Sequence, residues 1–416
     1  MVPRPGRPSR PRAPGMSPRA LGVLAVTAAV VSCGPARSPE SPNPIVHRPT
    51  ECVIATDSAP PASTITTAFE DTSDARRSSL ASSRLTPLRL DCEARPSPGL
   101  ATAWSRDTSG RFWTLELAPP AAIDSTARWT SSTLVATWLA DPSARAALRW
   151  AGVTSLVPLD DRRLVAELAA PSAEVPQVFA DRALAVPRTA ASTLVQAPPA
   201  GDLRDAIDQG VDLIHASDPT LLEYARQRPG RTTLPLPWNR TYLLLVPVGS
   251  PGVGAAIPVD TAGFLTELAR EAVRADARPA EGPFWWEARA ACPPSSAPTT
   301  PRTTGAAIAY PADDAVAQGL AERLVALGSL TARGLSADTF AVALQSATER
   351  AYVIGVPRHA SVPCRESAGW PPAASVLPLV DTRPHAVLRR GAPALMVEWD
   401  GAVRPVAAGD TSSGSP

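Results

Sequence analysis

Lysine is absent from this sequence: all 40 of its Lys and Arg residues are arginine, and 39 acidic residues oppose them, leaving a formal net charge of +1. So balanced a chain gives no electrostatic case for nucleic acid or an anionic surface as a partner. Together with 48 prolines and abundant alanine, the missing lysine reads as the imprint of a GC-rich genome, so a lone arginine carries little functional weight. No CxxC pair exists, and His47, His215, His359 and His385 are scattered, which leaves no metal-ligand spacing. GxSxG, HExxH, SxxK with its companions and the phosphate loop are all missing, which removes the common motif-bearing hydrolases and nucleotide binders. The glycines of "GSPGVG" (249–254) lack the strand and helix that would frame a phosphate. Asp313 and Asp314 stand where a helix begins and read as its cap. No period of 20–50 residues repeats, against a solenoid. The sequence therefore points to no catalytic constellation, no cofactor and no metal.

What is there begins at the N-terminus. Arg4, Arg7, Arg10, Arg12 and Arg19 precede an apolar stretch, Leu21 to Val31, too short to cross a bilayer and of signal-peptide length. The segment ends Val30-Val31-Ser32-Cys33-Gly34 and resembles the lipobox of bacterial lipoproteins, which implies that Cys33 is lipidated and anchors the protein to a membrane. Met16 offers an alternative start that would make a more ordinary signal. Residues 1–32 are thus expected as a lipoprotein signal, 33–50 as a Pro/Ser-rich tether and 406–416 as a tail. Cys52, Cys92, Cys292 and Cys364 in an oxidising compartment suggest two disulfides. Three pairings are open, and proximity in sequence favours Cys52 with Cys92 and Cys292 with Cys364.

Between tether and tail lie about 350 residues, more than one hydrophobic core usually serves, so two lobes are expected. "CVIAT" (52–56) reads as a strand and Ser78 to Ser83 as helical. "FWTLEL" (112–117) alternates as a half-buried strand. "TSSTLVATWLAD" is a helix capped by Thr130 or Ser131. "TSLVPLDDRRLVAELAAP" is a hairpin turning at 160–163. Asp202 caps a helix ending at Gly210, "VDLIHA" is a strand, and Ser217 or Asp218 before Pro219 starts another helix. "RTTLPLPWNRTYLLLVP" makes two extended stretches broken at Trp238-Asn239-Arg240. Thr261 to Ala275 is an amphipathic helix. Strand, helix, helix and strand follow in "GAAIAYPADD", "AVAQGLAERLVALG", "SADTFAVALQSA" and "AYVIGVPR", and "HAVLRRGAPALMVEWDG" is expected as a last strand pair. This alternation is α/β.

"PGLATAWSRDTSGRFWTLEL" resembles the N-terminal signature of the family 5 extracellular solute-binding proteins, the peptide, nickel and oligopeptide binders of ABC transporters. "LVPLDDRRLVAEL" is similar to the family's hairpin, and "DLRDAIDQGVDLIHASDP" to its helix–Gly–strand segment. The resemblance spreads over about residues 51 to 400. It implies a two-lobed periplasmic-binding-protein-like fold (type II, cluster C-like) with a reduced second lobe. Lobe I would be 51–243 and 352–405, and lobe II 244–351. It further implies a monomeric lipid-anchored receptor on the periplasmic or extracellular face of a bacterial membrane, taking a peptide or other small molecule to an ABC permease. The family's Phe-Asn after the crossover strand and its Arg-x-Ala helix are missing, so the alternative is a degenerate scaffold with a structural or interaction role at the envelope.

Such a fold binds its ligand between lobes. The sequence has ten Trp against four Tyr. Trp104, Trp113 and Trp138 lie on regular apolar patterns and read as core, and Trp285-Trp286 as surface cover. Trp238 reads equally as a cleft wall or a core residue. With Arg240 it flanks the crossover, and Arg358, Arg365 and Trp370 follow the return strand, where the resemblance places ligand contacts. These five are the candidate site, suited to a ligand with a carboxylate and an apolar body.

Overall fold

The strand Arg240–Pro247 is apolar on both faces because both are covered. In this computed structural model, Tyr242 and Leu244 face a core shared with the helices Ala262–Val273 and Ala315–Val325. Leu243 and Leu245 face a second core, shared with Ala337–Ser346. The structure describes residues 52–54, 64–70, 72–119, 129–187, 193–196, 202–247, 262–273, 276–287, 306–326, 330–365, 368–371 and 374–406. The expected signal, Cys33, the tether, the "GSPGVG" loop, Cys292 and the tail from residue 407 lie outside them. Among the described residues no helix is long and apolar enough to cross a membrane.

Among the described residues the second lobe holds a six-stranded sheet in the order Ala277–Pro279, Ala374–Thr382, Arg240–Pro247, Ala351–Pro357, Ala307–Pro311, Thr331–Leu335. Among the described residues the first lobe holds five further sheets, two of them two-stranded, Arg84–Leu85 with Val186–Pro187 and Leu88–Leu90 with Pro96–Pro98. A five-stranded one runs Thr193–Gln196, Thr64–Phe69, Leu213–Ala216, His385–Arg389, Arg231–Pro235. A four-stranded antiparallel one runs Ala101–Arg106, Phe112–Leu117, Arg163–Leu168, Val153–Pro158. A three-stranded one joins Val53–Ile54, Leu395–Val397 and Val403–Pro405.

Local rules account for many elements. Thr130 caps the helix Ser131–Ala140 in a reciprocal box with Thr133. Asp202, Asp218 and Asp314 cap Leu203–Asp208, Pro219–Arg226 and Ala315–Val325. Trp113 and Trp138 are buried in the core of the four-stranded sheet and Trp104 packs against it, and the Trp138 indole donates to the Leu184 carbonyl at 3.0 Å. Cys52 and Cys92 are disulfide-bonded, tying the three-stranded sheet to the chain that leads into the four-stranded one. Cys364 is disulfide-bonded as well.

Three expectations change. Trp285-Trp286, expected as surface cover, packs in the second core, where Trp286 is 4% exposed. The chain does not return to the first lobe at 352. Ala351–Pro357 pairs with Arg240–Pro247 inside the second sheet, and so does Ala374–Thr382. The two crossings are therefore 236–239 and 383–384, because Arg240–Pro247 is an inner strand with Ala351–Pro357 on one edge and Ala374–Thr382 on the other. "HAVLRRGAPALMVEWDG" holds two strands, but they do not pair. His385–Arg389 lies between Leu213–Ala216 and Arg231–Pro235, whereas Leu395–Val397 pairs with Val53–Ile54 and Val403–Pro405. The turn between them, with Gly391 at φ 76°, carries the chain from one sheet to another.

Candidate functional site

The two crossings run side by side. Pro235 stands opposite His385 in the first lobe, Arg240 stands opposite Thr382 in the second, and the Leu236 amide donates to the Pro384 carbonyl at 2.9 Å between them. Both crossings are polar interruptions of apolar strands, "PWNR" in one and "DTRPH" in the other. Their side chains meet there, the Arg383 guanidinium lying over the Trp238 ring.

Trp238 is half-buried. The guanidinium groups of Arg278 and Arg383 lie over its ring at 4.7 and 4.6 Å. Cation–π attraction of this kind contributes about 0.5–2 kcal/mol per pair. Arg383 pairs with Asp276 at 2.8 Å, and the same carboxylate lies 3.3 Å from His385 Nε2. Burial holds the His385 imidazole below its ordinary pKa, against the attraction of Asp276.

Arg240 reaches from the second sheet to Asp74, on the first-lobe helix Thr72–Ser83, at 3.4 Å. Asp74 also holds Arg77 and stands 3.4 Å from His215 Nδ1. The stem of Arg240 crosses Gly355, where a β-carbon would stand 2.9 Å from Arg240 Cδ and 3.0 Å from the Tyr242 ring. Tyr242, whose hydroxyl donates to Asp314 at 3.0 Å, has its pKa raised by burial.

Arg358 binds Asp381 and donates to the Glu281 carbonyl at 3.0 Å. Asp381 is wholly buried and also accepts from Thr241 at 2.7 Å and from Arg278 Nε at 3.2 Å. Asn239, between Trp238 and Arg240, accepts from the Arg358 amide at 2.9 Å. It packs so closely on Gly401 that a β-carbon there would meet its side-chain nitrogen at 2.1 Å.

The structure thus brings Trp238, Arg240 and Arg358 together at the crossings. Arg365 and Trp370 sit further along. Arg365 Nε donates to the Trp286 carbonyl at 3.0 Å, and Trp370, 4% exposed, packs on Trp285 and Trp286 with ring centroids 5.2 and 5.8 Å away. The segment 281–287 joins the two groups: Glu281 bonds Arg358, and the Trp285 indole donates to the Pro357 carbonyl at 3.0 Å. Sequence reading missed Asp74, Asp276, Arg278, Asp381, Arg383 and His385. The polar break at "DTRPH", mirroring "PWNR", is the signal that marks three of them.

Among the described residues no His, Cys, Asp and Glu group is arranged to hold a metal ion. A surface cavity of about 640 Å³ lined by Glu116, Asp160, Asp161, Arg162 and Arg163 lies at the hairpin turn of the four-stranded sheet, on other residues than the crossings. What the crossings offer chemically is an array of guanidinium groups on a half-buried indole, each with a carboxylate in reach.

No protein-family model and no curated protein sequence matches the chain. Solved structures do. The pheromone receptor PrgZ, solved for its mode of peptide binding, superposes with a TM-score of 0.58 at 11% identity, over 83% of this chain and 99% of that one. A dipeptide-binding protein from Pseudoalteromonas sp. SM9913, in complex with Met-Leu, gives 0.56 at 12% identity, over 82% and 98%. A periplasmic oligopeptide-binding protein of Borrelia burgdorferi gives 0.56 at 10% identity, over 79% and 95%. The chain has the two-lobed α/β fold of these peptide-binding proteins.

Proposed function

We propose that this protein is a solute-binding lipoprotein, held by Cys33 on the outer face of a bacterial membrane, that takes a peptide-like or other small carboxylate-bearing solute between its lobes and delivers it to an ABC permease. The observation that carries this reading is the pair of adjacent crossings. They join the two lobes, and a pair of connecting segments of this kind is a natural hinge. Five arginines (77, 240, 278, 358 and 383) meet four carboxylates there (Asp74, Asp276, Glu281 and Asp381). The excess positive charge suits a solute carboxylate, which guanidinium groups bind in bidentate fashion. Within the proposal Trp238, Arg240 and Arg358 form the inner part of the site, and Arg365 and Trp370 its extension along the segment 281–287.

A second reading has its own support. Each crossing arginine already holds a carboxylate, and guanidinium groups lie over the Trp238 ring. A scaffold that kept the fold and serves a structural role at the envelope needs nothing more. A thermal-shift screen with di- to hexapeptides separates the two. A ligand at 100 times its dissociation constant adds about 2.7 kcal/mol, a rise of several degrees in Tm for a chain of this size. A folded protein whose Tm no peptide moves overturns the first reading for a peptide ligand.

A further inference from the structure

Between Ala351–Pro357 and Ala374–Thr382, both strands of the second sheet, the chain leaves that sheet and buries itself in the other lobe. Val362 and Cys364, 7% and 0% exposed, belong to the core of the four-stranded sheet, among Trp138, Leu148, Val178 and Phe179. Ser361 Oγ donates to Asp181 Oδ2 at 2.5 Å. Asp181 is itself fixed, since its Oδ1 caps the turn Arg182–Leu184 by accepting from the Ala183 amide at 2.8 Å. The Cys364 amide donates to the Val362 carbonyl at 2.8 Å. That contact closes a three-residue turn around Pro363, whose ring already holds φ near the value such a turn needs.

Both ends of this segment are tied to the second lobe. The Arg358 amide bonds Asn239 at the first crossing, and its guanidinium bonds Asp381. Arg365 bonds the Trp286 carbonyl, and Trp370 is buried against Trp285 and Trp286. His359 lies between the lobes electrostatically. Burial and Arg358 hold its pKa below the ordinary value, while Asp91 of the first lobe and Asp381 of the second act in the opposite sense.

We propose that Ser361–Cys364 is an interlobe strap, a third tie beside the two crossings, which must be withdrawn from the core of the four-stranded sheet before the lobes can open. Two crossings alone permit hinge rotation. A chain anchored in the second lobe at Arg358 and Arg365 and lodged in the first at Val362 and Cys364 does not, because rotation would draw two apolar side chains out of a packed core. The strap stands on the fold alone and holds under either reading of the function.

The test is an interlobe distance in the full chain. Ketone-bearing residues replacing Val157 and Val342, 48% and 65% exposed, take spin labels without touching the cysteines, and pulsed dipolar spectroscopy reads their separation. The otherwise unmodified protein should give one narrow distribution. Val362→Asp, which puts a carboxylate into the apolar core, should broaden it towards longer distances, and Ser361→Ala should do so to a smaller extent. A broad distribution without either substitution, or a folded Val362→Asp protein with an unchanged one, overturns the strap. Should Val362→Asp fail to fold, amide hydrogen exchange on the unsubstituted chain decides. The Arg358 and Cys364 amides should be protected as well as those of Leu243–Leu245, and exchange on the order of 100-fold faster than that strand refutes the tie. Neither readout needs a ligand, so a failed peptide screen leaves the result intact.

Discussion

Replacing Asp381 by asparagine tests whether the crossings are held by charge. The carboxylate is 0% exposed and serves three donors, Thr241, Arg278 and Arg358. Asparagine keeps one acceptor oxygen, enough for Thr241 or one guanidinium, and turns the other position into a donor that faces the remaining cation. Breaking a fully buried pair costs about 3–5 kcal/mol, mostly through the charge left behind. Here the cations left behind, Arg278 and Arg358, keep 30% and 18% of their side-chain surface in water. Rehydration offsets part of the loss, and about 2–3 kcal/mol of destabilisation is expected. With a urea m-value of roughly 3 kcal/mol/M, the midpoint should fall by roughly 0.7–1 M. The assay is urea unfolding followed by tryptophan fluorescence and far-UV circular dichroism together, so that a transition confined to one lobe is recognised. A double-mutant cycle sharpens the test. Arg358→Gln removes one of the two stranded cations, so it should cost about 1–2 kcal/mol less in the Asp381→Asn background than alone. A single substitution within about 0.5 kcal/mol of the parent, with an additive double mutant, would refute the reasoning, since that is how a screened surface pair behaves.

Stability should fall with acid. His359 and His385 both have pKa values held below 6.5, so below about pH 6.5 the unfolded chain binds more protons than the folded one. Their contribution is complete above that value and is lost as pH falls through the folded pKa values; a urea midpoint that rises from pH 7.5 to 5.5 contradicts it. His385 faces Asp276, Arg383, Arg226 and His215, and His385→Asn should flatten the slope. Cys33→Ser should leave the protein unlipidated and release it from membranes, and unchanged retention in a detergent-phase partition overturns the lipid anchor.

Much of the fold was legible because it is written in neighbouring residues. The caps at Thr130, Asp202, Asp218 and Asp314 act within three positions of themselves, and the alternation of "FWTLEL" reports one covered face without reference to any other strand. The helix Pro142–Trp150 and the strands Thr64–Phe69 and Ala374–Thr382 escaped reading. The two strands are held by partners far along the chain, whereas the helix carries a local signal that sequence reading missed, Asp141 capping it before Pro142. Of the candidate site, the aromatic and arginine members stood out at strand breaks, whereas their acidic partners did not.

By itself the sequence determined the alternation of strands and helices, the helix starts, the hairpin at 160–163 and the polar breaks where the chain crosses between lobes. Those depend on side-chain periodicity, capping and turn chemistry, all local. Tertiary structure alone decided which break is a crossing and what each arginine does there. Arg240 meets an aspartate 166 positions away, and Arg278 one 103 positions away. Nothing in an arginine's immediate neighbours distinguishes one that binds such a partner from one left in solvent. "AYVIGVPR" likewise reads the same at a lobe boundary or in mid-sheet. Its place beside Arg240–Pro247 is settled only by the antiparallel ladder between the two strands, more than 100 positions apart in the chain.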